Sequence, residues 1–364
     1  MLRRRHCDVA VGPLELAVPN AGGLGIQPRE KIVAAPVQTR TIGRGSPTDA
    51  APHQRGDVAP DASPSRMTVT VCIPVFNSVD TIGRSIESVL AQTHADFDCL
   101  VLDDHSTDGT AEVAASYADD PRVTVIRNER NLGMVGNHNR ALDLARGDLV
   151  QFVGGDDWLL PTCLERLLPV FASPSVGLAF ARRRVVTTNA GWSDRYAVLD
   201  GPLQPLEPTN RGHDLVRRYL DAGGNGNPIG EPTAVMLRRE TVLRAGGFPA
   251  EVPQLSDIDT WMRVLCRSQA AFVEEELSVR WHHEGSATDQ FSGTTNLDKL
   301  WLLSSLVRAD DLDPALRRRA LRMWFRTAAA IPKLVAATPP GRRRTRIRSF
   351  GANLRHLTTG RRVS

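Results

Sequence analysis

With 41% apolar and 24% charged residues, the 364-residue chain can bury a sizeable core and falls outside the collagen-like and wholly disordered classes. A formal net charge of +4 does not by itself imply nucleic acid, and the basic excess sits largely at the two ends. No apolar run approaches the roughly 20 residues that span a bilayer. The arginines at 3–5 are not followed by a signal-peptide core, because Asp8, Pro13 and Glu15 interrupt it. Five widely spaced cysteines without a CxxC pair read as reduced, mostly buried thiols, so a soluble protein in a reducing cytoplasm is expected.

Residues 1–66 hold eight prolines, seven glycines and no Phe, Trp or Tyr, which predicts disorder and makes Met67 a candidate native start. From Thr68 the pattern alternates. Apolar runs at 69–75, 97–103, 122–126 and 149–153 read as buried strands, separated by helical periodicity at 81–91, 108–118 and 135–145. A helix near 162–172 and a strand at 176–181 follow. Strands alternating with helices predict an α/β domain with a mostly parallel central sheet flanked by helices. Residues 183–232 mix short strands with the Gly-rich stretch 222–228, expected as a mobile loop. Strand 233–237, a short helix, a helix at 256–268 and one or two strands over 270–282 complete the domain, drawn at 67–292. A helical extension is expected over 293–340, with Leu316, Ala320, Leu321, Trp324, Phe325 and Ala328 on its apolar side and Arg317, Arg318, Arg319, Arg322 and Arg326 opposite. A basic tail, 341–364, ends the chain. A basic helical end of this kind can lie on an anionic membrane, so peripheral contact with the inner face of the membrane is a second expectation, beside a merely solvated face.

Carboxylates recur at strand ends. Leu149–Phe152 runs into Gly154-Gly155-Asp156-Asp157, where two acids at the carboxyl edge of a sheet could hold a divalent cation and its phosphate, or could cap the next helix. Asp103-Asp104-His105-Ser106-Thr107-Asp108-Gly109 follows the second strand; Asp108 or Ser106 suffices to cap, which leaves Asp103 and Asp104 for other work. Ser256-Asp257-Ile258-Asp259 opens a helix, and Arg280-Trp281-His282-His283 closes a strand with two imidazoles. The first strand–helix turn has no GxGxxG, and no phosphate-binding P-loop motif is present.

The succession Thr70-Val71-Cys72-Ile73-Pro74-Val75-Phe76-Asn77, then Asp103–Thr110, then Asn128-Glu129-Arg130-Asn131-Leu132-Gly133 with Asn139, then Gly155-Asp156-Asp157, resembles the family 2 glycosyltransferases of the GT-A fold. The resemblance spans about residues 68–290. It implies an inverting, metal-dependent transferase that moves a sugar from a UDP- or dTDP-linked donor to a glycan, lipid-linked or small-molecule hydroxyl, in cell-surface polysaccharide or other glycan biosynthesis. By the same resemblance, Pro74, Phe76, Asn77, Asp104, Asn131, Gly133, Asn139 and Asp156 would hold the nucleotide. Asp157 and His282, with His283 as the fallback, would hold Mn²⁺ or Mg²⁺, and Asp257 would be the general base. Gly154 stands where the family often has its first metal-site acid, and Ser256 where a Glu commonly precedes the base. Two other readings are a catalytically silent nucleotide-sugar-binding protein of the same fold and a sugar-phosphate nucleotidyltransferase. The latter wants a glycine-rich basic loop after the first strand, and Pro74–Asp80 is neither.

Overall fold

The computed structural model describes residues 67–187, 198–283, 295–336 and 340–359. The expectation of disorder in 1–66, and with it Cys7, lies outside them. Strands β1 (Val69–Val75), β2 (Asp98–Asp103), β3 (Val123–Arg127) and β4 (Leu149–Phe152) form the parallel half of one sheet, ordered β3-β2-β1-β4. They are joined through helices α1 (Ile82–Leu90), α2 (Thr110–Ala115) and α3 (Gly133–Leu144). β1 is buried along its whole length, as a central parallel strand covered on both faces must be. Its pleat divides the core. Val69, Val71, Ile73 and Val75 pack with Ile82, Ile86 and Val89 of α1 on one face, while Cys72 joins Phe152, Ala141 and Leu142 on the other.

Beyond β4 the sheet continues through β8 (Val235–Arg238), which runs antiparallel, then β6 (Val176–Thr187), β9 (Gln269–His282) and the short β5 (Trp158–Leu159); β7 (Thr209–Arg211) also pairs with β9. The sheet is therefore mixed, with a parallel core. β6 and β9 are longer than the sequence suggests and pair in parallel over most of their length, with register shifts at Ala181–Arg183. Helix α4 (Cys163–Leu167) follows β5, and α5 (Gly212–Asp221) lies inside the stretch read only as short strands and loop. Leu215, Val216, Tyr219 and Leu220 give α5 its buried face. The short α6 (Arg239–Arg244) follows β8.

Helix α7 (Ser256–Leu265) carries Ile258, Trp261, Met262 and Leu265 into the same core. The C-terminal layer comprises α8 (Thr295–Arg308), α9 (Pro314–Ala329), α10 (Ile331–Ala336) and α11 (Pro340–Thr359). A helix thus occupies most of the stretch read as a basic tail. α9 is capped by Asp313, whose carboxylate accepts from the Ala315 and Leu316 amides. Leu316, Ala320 and Trp324 face the core as expected, but Phe325 is 59% exposed. One residue past Trp324 is a rotation of about 100° on a helix, which carries Phe325 out of the buried stripe. Cys72, Cys99, Cys163 and Cys266 are buried free thiols. Among the described residues no helix is long and apolar enough to cross a membrane.

Candidate active site

Strand register sets the site. Val75 pairs with Asp103 and Asp103 with Arg127, so β1, β2 and β3 end level, and Asn77, Asp104 and Asn128 emerge together at one edge. The loops there are cross-tied. The Asn77 amide donates to Ser106 Oγ at 2.9 Å, and Asn77 Oδ1 accepts from the Thr107 amide at 2.9 Å. Asp108 accepts from the Thr110 amide at 3.0 Å and the Val79 amide at 3.0 Å, so it ties the start of α2 to the β1–α1 turn, while Gly109 takes the N-cap position. Asp103 is consumed structurally, accepting from the Ser106 amide and pairing with Arg127 at 3.3 Å. Asp104 remains at the cleft, its Oδ1 held by Asn128 Nδ2 at 2.7 Å and the Leu132 amide at 2.8 Å, and those bonds aim the carboxylate.

These loops line a cleft of about 730 Å³, within the size range of small-molecule sites. Pro74, Phe76, Asn77, Asp104, Asn131, Gly133 and Asp156 all line it, as does His283. Asn139 does not. Its side chain donates to the Phe248 carbonyl and accepts from the Phe248 amide, each at 2.8 Å, so it pins the loop after α6 and stands outside the nucleotide set.

A second chamber opens beside the first, sharing Met134, His138, Gly154, Asp156 and Trp281 as a common wall and adding Asp157, Glu231, Arg280 and Asp257. Gly155 is demanded by packing between them, because a Cβ there would lie 2.7 Å from Val75 Cγ2. At Gly154 a Cβ would sit 3.0 Å from Asp156 and 3.1 Å from Asp157, so the missing first acid leaves room for the other two.

The two histidines divide as strand pleating requires. His282 is buried, its Nδ1 3.4 Å from Thr187 Oγ1 on neighbouring β6. His283 instead faces the cleft, with Nε2 3.3 Å from Asp156 Oδ2. Asp157 is likewise turned inward, accepting from Thr233 Oγ1 at 2.7 Å and from the Trp281 amide at 3.1 Å. The pair brought together at the cleft is therefore Asp156 with His283, in place of Asp157 with His282. A carboxylate oxygen and an imidazole nitrogen, both about one-third exposed, fit Mn²⁺ or Mg²⁺ as a two-residue site whose other positions phosphate and water would fill. Among the described residues no three His, Cys, Asp or Glu side chains gather into a ready-made cage. Burial, reinforced by the Asp156 charge, pushes Asp157 up to about 7.

Asp257 sits in the first turn of α7, its Oδ2 accepting from Asn227 Nδ2 at 2.8 Å. Burial pushes it up to about 6, against the lowering effect of its hydrogen bonds from Ile258 and Asn227. Sequence reasoning missed the groups around it. Glu231 is buried between two arginines, 2.7 Å from Arg183 Nε and 3.2 Å from Arg280 Nη1. Burial alone would raise Glu231, but the Arg183 and Arg280 charges outweigh it and hold the carboxyl below its ordinary range. Arg84 stacks 3.9 Å over Trp158 and 4.7 Å from Trp281, and donates to the Asp156 carbonyl at 3.3 Å. His138, held below its ordinary value by burial, packs at 5.3 Å on Phe152. None of these forms a motif of its own; the available signal was adjacency to motif residues, and it marks Trp158 beside Asp157 and Arg280 and Trp281 beside His282. The Gly-rich loop, expected to be mobile, is tied from behind: Lys299 Nζ donates to Asn225 Oδ1 at 2.9 Å and to the Gly223 carbonyl at 2.6 Å, and Asn227 holds Asp257.

Residues 70–242 match the profile of Glycosyl transferase family 2. An uncharacterised protein of Mycobacterium tuberculosis is 40% identical over 79% of this chain and 90% of its own length. The Escherichia coli UDP-Glc:alpha-D-GlcNAc-diphosphoundecaprenol beta-1,3-glucosyltransferase WfgD is 30% identical over 34% of this chain and 48% of its own. The Staphylococcus aureus TarS structure in complex with UDP-GlcNAc superposes with a TM-score of 0.59 at 16% identity, covering 80% of this chain and 82% of that one, which is a likeness of fold. With the strand-end acids, the two-chambered cleft and the matched span in agreement, the chain belongs to glycosyl transferase family 2.

Proposed function

We propose that the protein is an inverting transferase that moves a sugar from a UDP- or dTDP-linked donor to an acceptor hydroxyl in polysaccharide or related glycan synthesis. The observation that carries this reading is the adjacency of two chambers, one lined by Asp104, Asp156 and His283, the other by Asp257, with a shared wall. Phe76 and Pro74 would flank the base, and Asp104, aimed by Asn128, would accept from a pyrimidine N–H. The named donors of similar proteins, UDP-Glc for WfgD and UDP-GlcNAc in TarS, support a uridine nucleotide.

The sugar's anomeric carbon would lie at the shared wall. Asp257, ionised, takes the proton of the acceptor hydroxyl as that oxygen bonds to the anomeric carbon and the bond to the donor phosphate breaks; attack from the face opposite the leaving group inverts configuration. Proton transfer of this kind contributes roughly 10² to 10⁴-fold. Asp156 and His283 would hold a divalent cation, which when bound neutralises charge on the departing diphosphate. Arg280, anchored by Glu231, adds fixed positive charge in the second chamber beside that wall.

The test is calorimetric titration of UDP, dTDP and GDP into the protein with Mn²⁺ and then with EDTA. UDP or dTDP should bind in a metal-dependent manner that Asp156→Ala abolishes. Absence of binding by all three nucleotides would overturn the donor reading.

A further inference from the structure

Charge is divided unevenly along this chain. After Asp313 there is no acid, and residues 314–364 hold fourteen Lys and Arg; residues 67–313 hold 22 Lys and Arg against 35 Asp and Glu. Residues 314–364 thus carry +14 and residues 67–313 carry −13. Some of that opposition is spent within the molecule: Arg319 pairs with Asp221 at 2.5 Å and Arg317 with Asp310 at 3.6 Å. Most of it is not. Arg318, Arg322 and Arg326 are exposed on one face of α9, and none makes an ion pair among the described residues. Between them on the same face stands Phe325, 59% exposed, followed by exposed Ala329 and Ala330 and then by Lys333 on α10. α11 packs beside α8 and α10, and its sequence supplies five arginines between 342 and 348. Leu354 of α11 is 45% exposed.

A face kept for solubility mixes both signs and places no phenylalanine among its charges. A helix face that presents arginines at i, i+4 and i+8 around an aromatic ring matches the boundary of an anionic bilayer, where the ring enters the acyl edge and the cations meet phosphate headgroups. We infer that the α9–α11 face docks the enzyme on an anionic lipid surface. α8 of this layer packs on the turn 253–255 that leads into Asp257, so docking holds the base-bearing chamber next to the membrane. The docking claim does not depend on the sugar-transfer reading, because vesicle binding and nucleotide binding are measured separately.

The experiment is co-sedimentation of the full chain with vesicles of phosphatidylcholine alone and of two parts phosphatidylcholine to one part phosphatidylglycerol. Binding is expected to the mixed vesicles only, weakening as salt rises. The triple variant Arg318→Glu/Arg322→Glu/Arg326→Glu should bind at least about a hundredfold more weakly, and Phe325→Ser several-fold more weakly, with circular dichroism unchanged. Should the triple variant misfold, the salt titration of the unaltered protein and the Phe325→Ser comparison still decide. Equal binding to both vesicle types, insensitivity to these changes, or displacement from vesicles by a short nucleic-acid duplex at lower concentration than by added anionic vesicles would overturn the inference.

Discussion

Asp257 is placed in a chamber that costs it ionisation, and that position has opposite effects on rate and stability. Its carboxyl is pushed up to about 6 by burial, so the fraction ready to accept a proton rises through that pH and levels off above it. Transfer rate should therefore fall on the acid side with a midpoint near 6, measured as kcat against pH with saturating donor. A carboxyl whose folded value lies above its unfolded one stabilises the fold at low pH, and that contribution is lost as pH rises through about 6. Asp257→Asn keeps a side-chain partner for Asn227 and removes the charge. It should lose 10² to 10⁴-fold in kcat while gaining on the order of 1 kcal/mol at pH 7 in chemical denaturation. Glu231 is the reverse case. Its truncation to Ala would leave Arg183, 5% exposed, without the carboxylate 2.7 Å away, and should cost about 3–5 kcal/mol by the same measurement.

At the level of strands and helices, Gly155 joins β4 to the site. Gly155→Ala drives a methyl to within 2.7 Å of Val75, and the expected loss is about 1–3 kcal/mol, read as a lower denaturation midpoint. The four parallel strands and their helices were legible because each is a local run with its own period and its own turn residues. α5 was not, since Gly212 and the prolines before it mask a buried face of only four residues. The parallel pairing of β6 with β9 joins residues nearly a hundred apart, and no local pattern reports such a partner. The same limit decided the site. That two histidines stand where β9 ends is visible in the sequence; that His282 closes the strand against β6 and His283, one residue beyond it, faces the cleft depends on a register fixed by β6. Asn139 belongs to a recognisable succession of motifs, yet its role is set by Phe248, 109 positions away.

Over the whole molecule, the C-terminal layer is part of the core as well as a charged face. Leu316, Ala320 and Trp324 belong to the same apolar cluster as Trp261 and Leu265, and Trp324 Nε1 donates to Ser304 Oγ at 2.9 Å. Removal of residues 314–364 would uncover that cluster. The truncated chain should aggregate or bind a hydrophobic dye at temperatures where the full chain remains folded and monodisperse.

Lys299 links this layer to the chemistry. From α8 it grips Gly223 and Asn225, and the same short loop carries Asn227 to the Asp257 carboxylate. A helix that lines neither chamber thereby acts on the acidity of Asp257, the proposed base. Lys299→Met should slacken the loop, weaken the Asn227 bond that favours the ionised carboxylate, and move the acid limb of the rate profile to higher pH without altering nucleotide affinity. Drift in the C-terminal helices could in this way retune the pH at which the enzyme works while every residue lining the cleft stays the same.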